Sequence, residues 1–456
     1  MLNRLLSTAK RLYGTGVFWM GVITVLRAAG FVLVLPFVLR QLPAEEVGLW
    51  YVFAGIACLC SIVELGFAPN IGRFTMYYLS GLQDLPSLNA VTGQNCGNEK
   101  INQAGLNGLI AMSVRLYTQV AVAVLVLMIF GGGGWLFCKY RDAMDHSYNW
   151  PVYLLYAVGT AWSLSNYFWS VMLPASNHIV ESQKIMLTAI VLNYLATLIG
   201  VYLGFGVLGL AMGQTVMSGY QRLRSRELFE RFYPLDKKVE ALPIQWKHLW
   251  PMTWRGGLMG LGMYLSLPAT TLICAQIFDL TTTASYAISL QLVFMAYSLA
   301  NNWLVVKYPI ISVFYVKGEY AAIRRLVYER IVLQMISYVV ICVFTWKLAP
   351  LLLWMLKTKT TFIDSHLLLL LMISVGVDLF VHALSAVVQC GNKFPFIYSK
   401  LVNGTLTVVL ACILGKWLGL AGFVCAPALA QITFNGWYIT WWYYRDSRRA
   451  PASSIN

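Results

Sequence analysis

Arg27 and Glu64 are the first side chains in this sequence placed where charge is expensive. Each lies within a long apolar run, Arg27 well inside the first and Glu64 shortly before the end of the second. Arg27 falls about eleven residues, or ~17 Å of helix, from the start of its run. A charge at that depth in a bilayer costs several kcal/mol unless it pairs or faces water. One reading is a cation that binds a pyrophosphate or acidic sugar through charge-assisted hydrogen bonds. The other is an arginine fixed by Glu64 or by carbonyls for structure alone. Arg115, in the third run, and Arg255, in Trp254-Arg255-Gly256-Gly257, are further candidates for the anion-binding role, with snorkelling or interfacial anchoring as the alternative. Glu64 and Arg73 flank a Gly66–Pro69 break, which suits a gate-forming ion pair or a structural cap. Asp378 and His382 are four residues apart, on one helical face, where they could exchange a proton near neutral pH. That makes them candidates for proton coupling, against a structural hydrogen-bonded pair.

The elements that must hold these residues are apolar helices. Hydrophobic residues make up 59% of the 456, charged residues only 11%, and mean hydropathy is +0.66. Soluble domains carry about 25% charged residues, so the composition is that of an integral membrane protein. About twelve spans are expected, at roughly 16–39, 46–68, 106–130, 151–173, 185–204, 206–222, 252–275, 283–304, 331–356, 366–388, 401–416 and 420–441. The first is too long for the apolar core of a cleavable signal peptide. Lys and Arg crowd alternate loops. With the N-terminus inside, the outer side receives only Arg40, Lys139, Arg141, Lys347, Lys357, Lys359 and Lys416. The positive-inside rule then puts both termini in the cytoplasm. The net charge of +15 is explained by this distribution and does not point to nucleic acid.

The longest inner loops are 69–105 and 223–251. The first includes a Gly/Asn/Gln-rich piece at 91–108 expected near the headgroups. The second divides the chain into a six-helix lobe at 1–222, a basic linker at 223–251 and a six-helix lobe at 252–456 with a short cytoplasmic tail. Its run Arg222 to Tyr233 alternates basic and apolar residues at helical spacing, as a leaflet-bound or a solvated linker helix would. The halves echo one another weakly: Gly206-Val207-Leu208-Gly209 opens span six and Gly419-Leu420-Ala421-Gly422 opens span twelve, each after a very short turn. Repeated lobes of the same orientation imply a pseudo-two-fold axis along the membrane normal and a substrate path between the lobes. Pro36, Pro174, Pro268 and the Gly131–Gly134 run are places where helices should break or soften.

Enzymatic signatures are lacking. The sequence has no Gly-x-x-x-x-Gly-Lys-Ser/Thr phosphate loop, no clustered His/Asp metal set and no acidic pair in an extended loop. The nine cysteines lie mostly within apolar runs and form no Cys-x-x-Cys pair, so they read as small core residues. No cofactor, no metal and no ATP bound by this chain are expected.

The turn Leu42-Pro43-Ala44-Glu45-Glu46-Val47-Gly48-Leu49-Trp50 resembles the Leu-Gly-Pro-Glu-Glu-Phe-Gly-Leu-Tyr turn of bacterial polysaccharide flippases. Glu64-Leu65-Gly66-Phe67-Ala68 through Arg73 is similar to their Asp-Leu-Gly-Leu…Arg run, with Glu in place of Asp. Lys307-Tyr308-Pro309, Lys317-Gly318-Glu319-Tyr320 and Ile323-Arg324-Arg325-Leu326 resemble an inner loop of the same exporters. These are the Wzx-type flippases of the multidrug/oligosaccharidyl-lipid/polysaccharide (MOP) exporter superfamily. The resemblance implies alternating-access transfer of an undecaprenyl-pyrophosphate-linked glycan, an O-antigen, capsule or exopolysaccharide unit, across the bacterial inner membrane. It also implies contact with membrane lipids, and a polysaccharide polymerase and ligase as candidate partners. The alternatives are a multidrug cation antiporter of the same superfamily, which needs acidic sites, and a membrane glycan polymerase or transferase, which usually has a long outer loop absent here.

Overall fold

The computed structural model describes residues 16–64, 66–81, 101–145, 148–234, 239–243, 250–355, 357–391 and 395–448. The basic start and most of the polar piece at 91–108 lie outside them. Among the described residues every regular element is helical. In chain order these are α1 Gly16–Gln41, α2 Ala44–Ser61, α3 Phe67–Leu79, α4 Gln103–Val126, α5 Gly133–Asp145, α6 Asn149–Ser165, α7 Tyr167–Ala175, α8 Ile179–Tyr202 and α9 Val207–Phe232. The chain continues with α10 Trp250–Ser266, α11 Thr270–Ile277, α12 Leu280–Val305, α13 Tyr308–Lys317, α14 Tyr320–Met355, α15 Ser365–Cys390, α16 Ile397–Trp417, α17 Gly419–Ala430 and α18 Gly436–Ser447. Each of the twelve expected spans falls on one of these helices or on a consecutive pair. By length and hydropathy, 8 described stretches can cross a bilayer, and 9 if the bent pair Thr253–Ser266 and Thr270–Ile277 is one span.

The chain divides into two compact units, one of residues 1–30 and 56–257 and the other of 31–55 and 258–456. The first hairpin therefore contributes to both. Residues 31–55 join the second unit because close contacts hold them there. A Cβ on Gly48 would lie 2.2 Å from the Leu280 carbonyl oxygen, and one on Gly55 2.9 Å from the Leu272 side chain. Tyr51 donates to the Gln291 amide oxygen, and Tyr264 to the Gly55 carbonyl at 3.3 Å.

In the first unit, Phe67, Ile71, Phe74, Tyr117, Phe168 and Phe229 centre a buried cluster. Phe229 belongs to the basic run after residue 222. That run continues the span as the last turns of α9 and is not a separate linker helix. Its charges are partly paired, Arg226 with Glu230 at 2.9 Å and Arg224 with Glu227. In the second unit Tyr286, Leu290, Val293, Leu371, Val375 and Phe423 centre a similar cluster.

The glycine echo has a physical basis within each unit. Gly206 (φ 54°) and Gly419 (φ 63°) sit in left-handed turns that send the chain directly into the next helix. Three residues later, Gly209 lies against Gly200, where a Cβ would meet backbone at 2.8 Å. Gly422 lies against the Leu414 carbonyl at 2.5 Å. Small residues at these points let two helices pack backbone to backbone, as membrane helices favour.

Helix irregularities fall partly where proline and glycine suggest. Pro268 separates α10 from α11 with a bend of 44°. The Gly131–Gly134 run does not end its helix. It widens it into a π segment, Leu127–Gly132, after which α5 continues. The Tyr153 hydroxyl donates to the Met128 carbonyl at 2.6 Å there. Pro36 and Pro174 lie within α1 and α7.

A close helix crossing in the second unit gives a stability prediction. A Cβ on Gly262 of α10 would sit 2.6 Å from the Lys400 carbonyl carbon and oxygen in α16, whereas Gly260 faces open space. Gly262→Val should cost about 1–3 kcal/mol of packing and lower the melting temperature of the detergent-solubilised protein. Gly260→Ala should leave it unchanged. Equal melting of both variants would mean the crossing is not formed.

Candidate functional site

Each unit encloses a carboxylate and a cation inside its helices. In the first, the second span tightens into a 3-10 turn at Ile62–Glu64 and restarts as α3 behind Gly66, whose φ of 74° favours glycine. The break frees the amides that open α3, and Glu64 accepts them: Gly66 N–H at 3.0 Å and Ala68 N–H at 2.6 Å. The hydroxyl of Tyr117, a fully buried residue of α4, donates to the same carboxylate at 2.7 Å. The Tyr117 ring lies 6.2 Å from that of Tyr167. Over Tyr167, at 4.6 Å, sits the Arg222 guanidinium. Arg222 also donates to Ser170 Oγ at 2.6 Å and to the Ser163 carbonyl at 3.3 Å. Two tyrosines thus link the carboxylate to the guanidinium.

This corrects the expected Glu64–Arg73 pair. Among the described residues no ion pair joins them, and Arg73 is exposed. The break turns the carboxylate back onto its own helix start, while Arg73 falls on the outward side of α3. The cation in this cluster is instead Arg222, a residue that its position at the edge of span six marks as a loop charge. Only the continuation of α9 to Phe232 brings it among α6 and α7.

In the second unit Asp378 lies midway along α15. Its Oδ1 accepts from Gln431 Nε2 at 2.5 Å, and Gln431 Oε1 accepts from Asn435 Nδ2 at 2.7 Å. Gln431 and Asn435 begin and end a second π segment, where the Gly436 N–H reaches back to the Gln431 carbonyl. Lys400, in the first turn of α16, is only 6% exposed and lies within electrostatic reach of both Asp378 and His382. The His382 ring stands 6.2 Å from that of Tyr297. Asp378 and His382 belong to one local cluster, yet Asp378 accepts its hydrogen bond from Gln431. Lys400 reads in sequence as a loop cation just before a short span, and Gln431 as one polar residue in an apolar run. Neither carries a signal that names its partner.

The three arginines marked for anion binding all belong to the first unit, and all are exposed. Arg27 is within electrostatic reach of Tyr194. Close by, Gly30 lets α1 approach that tyrosine, since a Cβ there would fall 2.1 Å from its ring. Arg255 holds its guanidinium 5.7 Å from the Trp254 ring centre. Its helix neighbours the Glu64 break: Asn70 donates to Thr253 Oγ1 at 3.2 Å, and a Cβ on Gly66 would meet the Gly256–Gly257 backbone at 3.4 Å. Arg115 lies on α4, two residues before Tyr117, on the uncovered side. Among the described residues no group of His, Cys, Asp and Glu could hold a metal.

Tyr117→Phe removes a hydrogen bond to a buried carboxylate and should cost about 1.5–3 kcal/mol, read as a lower melting temperature. Arg73→Ala should melt like the parent. A Tyr117→Phe protein as stable as the parent would remove Tyr117 from the role given it here.

The sequence matches no protein-family model and no curated protein. Among solved structures, an inward-facing multidrug resistance MATE family transporter of the MOP superfamily is similar at a TM-score of 0.65 and 12% identity, covering 93% of this chain and 98% of that one. An outward-facing structure of such a transporter gives 0.60 and 15%, covering 96% and 97%. A Vibrio cholerae MATE transporter, VcmN, gives 0.56 and 17%, covering 97% of each. Identities this low speak to architecture, and over nearly its whole length this chain has the multi-pass helical fold of MATE transporters of the MOP superfamily.

Proposed function

We propose that this protein is a flippase that moves a polyprenyl-pyrophosphate-linked oligosaccharide across the bacterial inner membrane by alternating access. One observation carries the reading. The deep acids are engaged inside the protein, Glu64 by Tyr117 and backbone amides, Asp378 by Gln431. The arginines expected to bind an anion, Arg27, Arg115 and Arg255, are exposed instead. An exposed guanidinium in an apolar surround is a standing site for a doubly charged pyrophosphate. The lipid tail need not enter the protein, so the arginines have only to shield the polar head.

The second reading, a multidrug cation antiporter, is favoured by the solved structures of similar fold, which are described as multidrug resistance transporters. It requires an acidic group offered to a cation. Asp378 is the candidate, with His382 and Lys400 as groups that trade charge with it when a proton arrives. In the flippase reading the same cluster couples the proton gradient to the conformational cycle.

Arg27→Ala should abolish export at normal protein levels, while Arg27→Lys retains part of it, because a lysine keeps the charge and loses the bidentate geometry. Full activity of the alanine variant would take Arg27 out of the mechanism. Depleting the protein in its host and measuring lipid-linked glycans by mass spectrometry separates the readings. Completed pyrophosphate-linked units on the inner face support the flippase. Unchanged lipids with increased sensitivity to cationic dyes support the antiporter.

A further inference from the structure

The hairpin of α14 and α15 carries a site that the proposed transport chemistry does not use. At its loop end is a cavity of about 630 Å³, lined by Trp346, Lys347, Trp354, Lys357, Thr358 and Phe362 among others. The Lys347 ammonium stands 4.2 Å from the Trp346 ring centre. The Trp346 indole N–H donates to the Ser365 carbonyl at 3.2 Å, tying the two helices together at the rim. The loop is braced from within: the Thr358 hydroxyl bonds to the Leu353 and Thr360 carbonyls, and Lys357 adopts a left-handed φ of 50°. Lys359 is committed elsewhere, its ammonium donating to the Gln41 carbonyl at 2.8 Å. Asp364 and His366, exposed at the start of α15, are not among the cavity's lining residues. The mouth is therefore cationic and aromatic.

Trp346 also lines a second cavity, about 490 Å³, that runs along the same two helices toward their middle. Its walls are Val339, Val343, Ile373 and Phe380, over a floor at Gly376 and the Tyr338 ring. A Cβ on Gly376 would come within 2.9 Å of Tyr338, so glycine there leaves the groove its depth. The Tyr338 hydroxyl turns inward to the Met372 carbonyl at 2.7 Å and leaves only ring carbon toward the groove. Val339, Val343 and Ile373 are each more than half exposed, at 55%, 57% and 55%, on a helix face of membrane-spanning length.

We propose that these two cavities together hold one anionic phospholipid of the bilayer, its phosphate at Lys347 and Lys357 and one acyl chain in the groove below Trp346. A free phosphate would satisfy the lysines and leave the groove empty. An uncharged chain would fill the groove and leave the lysines unused. The shared tryptophan makes the pair one site, with an aromatic ring at the headgroup boundary where such rings accumulate and lysines that favour anionic headgroups. The cationic, aromatic mouth continuous with an apolar groove matches a charged head joined to a chain, which favours a lipid over a second copy of the protein.

The test is native mass spectrometry of the full-length protein in mixed micelles of detergent with phosphatidylglycerol, phosphatidylcholine, polyprenyl phosphate or inorganic phosphate. The parent should retain one phosphatidylglycerol in preference to phosphatidylcholine. Lys347→Glu with Lys357→Glu should lower that occupancy at least about tenfold. Val343→Trp, which fills the groove from its uncovered side, should lower it too while the melting temperature in lipid-free detergent stays that of the parent. Equal retention of the zwitterionic lipid, displacement by inorganic phosphate alone, or wild-type occupancy in either variant would overturn the proposal. Preferential retention of polyprenyl phosphate would also overturn it, by giving the site to the transported substrate. So would a dimer that Val343→Trp dissolves, since the groove would then be a protein interface.

Discussion

A backbone amide or carbonyl freed inside a hydrocarbon layer has no water to turn to, and leaving it unpaired costs several kcal/mol. This chain frees such groups at several points within its spans, and at each a nearby side chain or a re-routed backbone bond takes them up. Glu64 accepts the amides at the 3-10 break before α3. Tyr153 binds the Met128 carbonyl at the first π segment. The Thr270 hydroxyl donates to the Leu267 carbonyl after Pro268 and itself accepts from Tyr286. Ser374 accepts the Ala428 amide beside Pro427. The irregular helices are thus held in shape by polar residues that an apolar pattern alone would not require.

The same constraint governs charge. A carboxylate enclosed by helices is tolerable when donors surround it and a cation stands near. Glu64 has Tyr117 and two amides, with Arg222 reached through the tyrosines. Asp378 has Gln431, with Lys400 near enough to act on it. Each unit therefore keeps an acid with a base near it within its own packing. That arrangement leaves the arginines Arg27, Arg73, Arg115 and Arg255 as the exposed charges among the predicted site residues, which favours an anionic substrate.

Irregularity and small residues act together in setting where helices approach. The two glycine-opened hairpins, at Gly206–Gly209 and Gly419–Gly422, bring adjacent helices to backbone contact. Gly262, crossing α16 at Lys400, does the same for α10. At that crossing the Lys400 backbone lies against Gly262, and its side chain is buried within electrostatic reach of Asp378. A lysine at the start of an exposed helix would have reached outward to water.

By itself the sequence determined the number and approximate ends of the spans, because hydropathy over twenty residues is a sum that few local details can overturn. It also marked the Gly66 and Pro268 breaks and the paired glycine hairpins, since glycine and proline act through the local backbone. Partnership was decided only in three dimensions. Arg73, nine residues from Glu64, is the nearer cation in sequence, yet Arg222 shares its tyrosines. His382 is the nearer neighbour of Asp378 on the helix, yet Gln431, more than fifty positions away, makes the hydrogen bond. A side chain's partner depends on which helix faces are pressed together, and that follows from packing between segments distant in sequence, which no local pattern encodes.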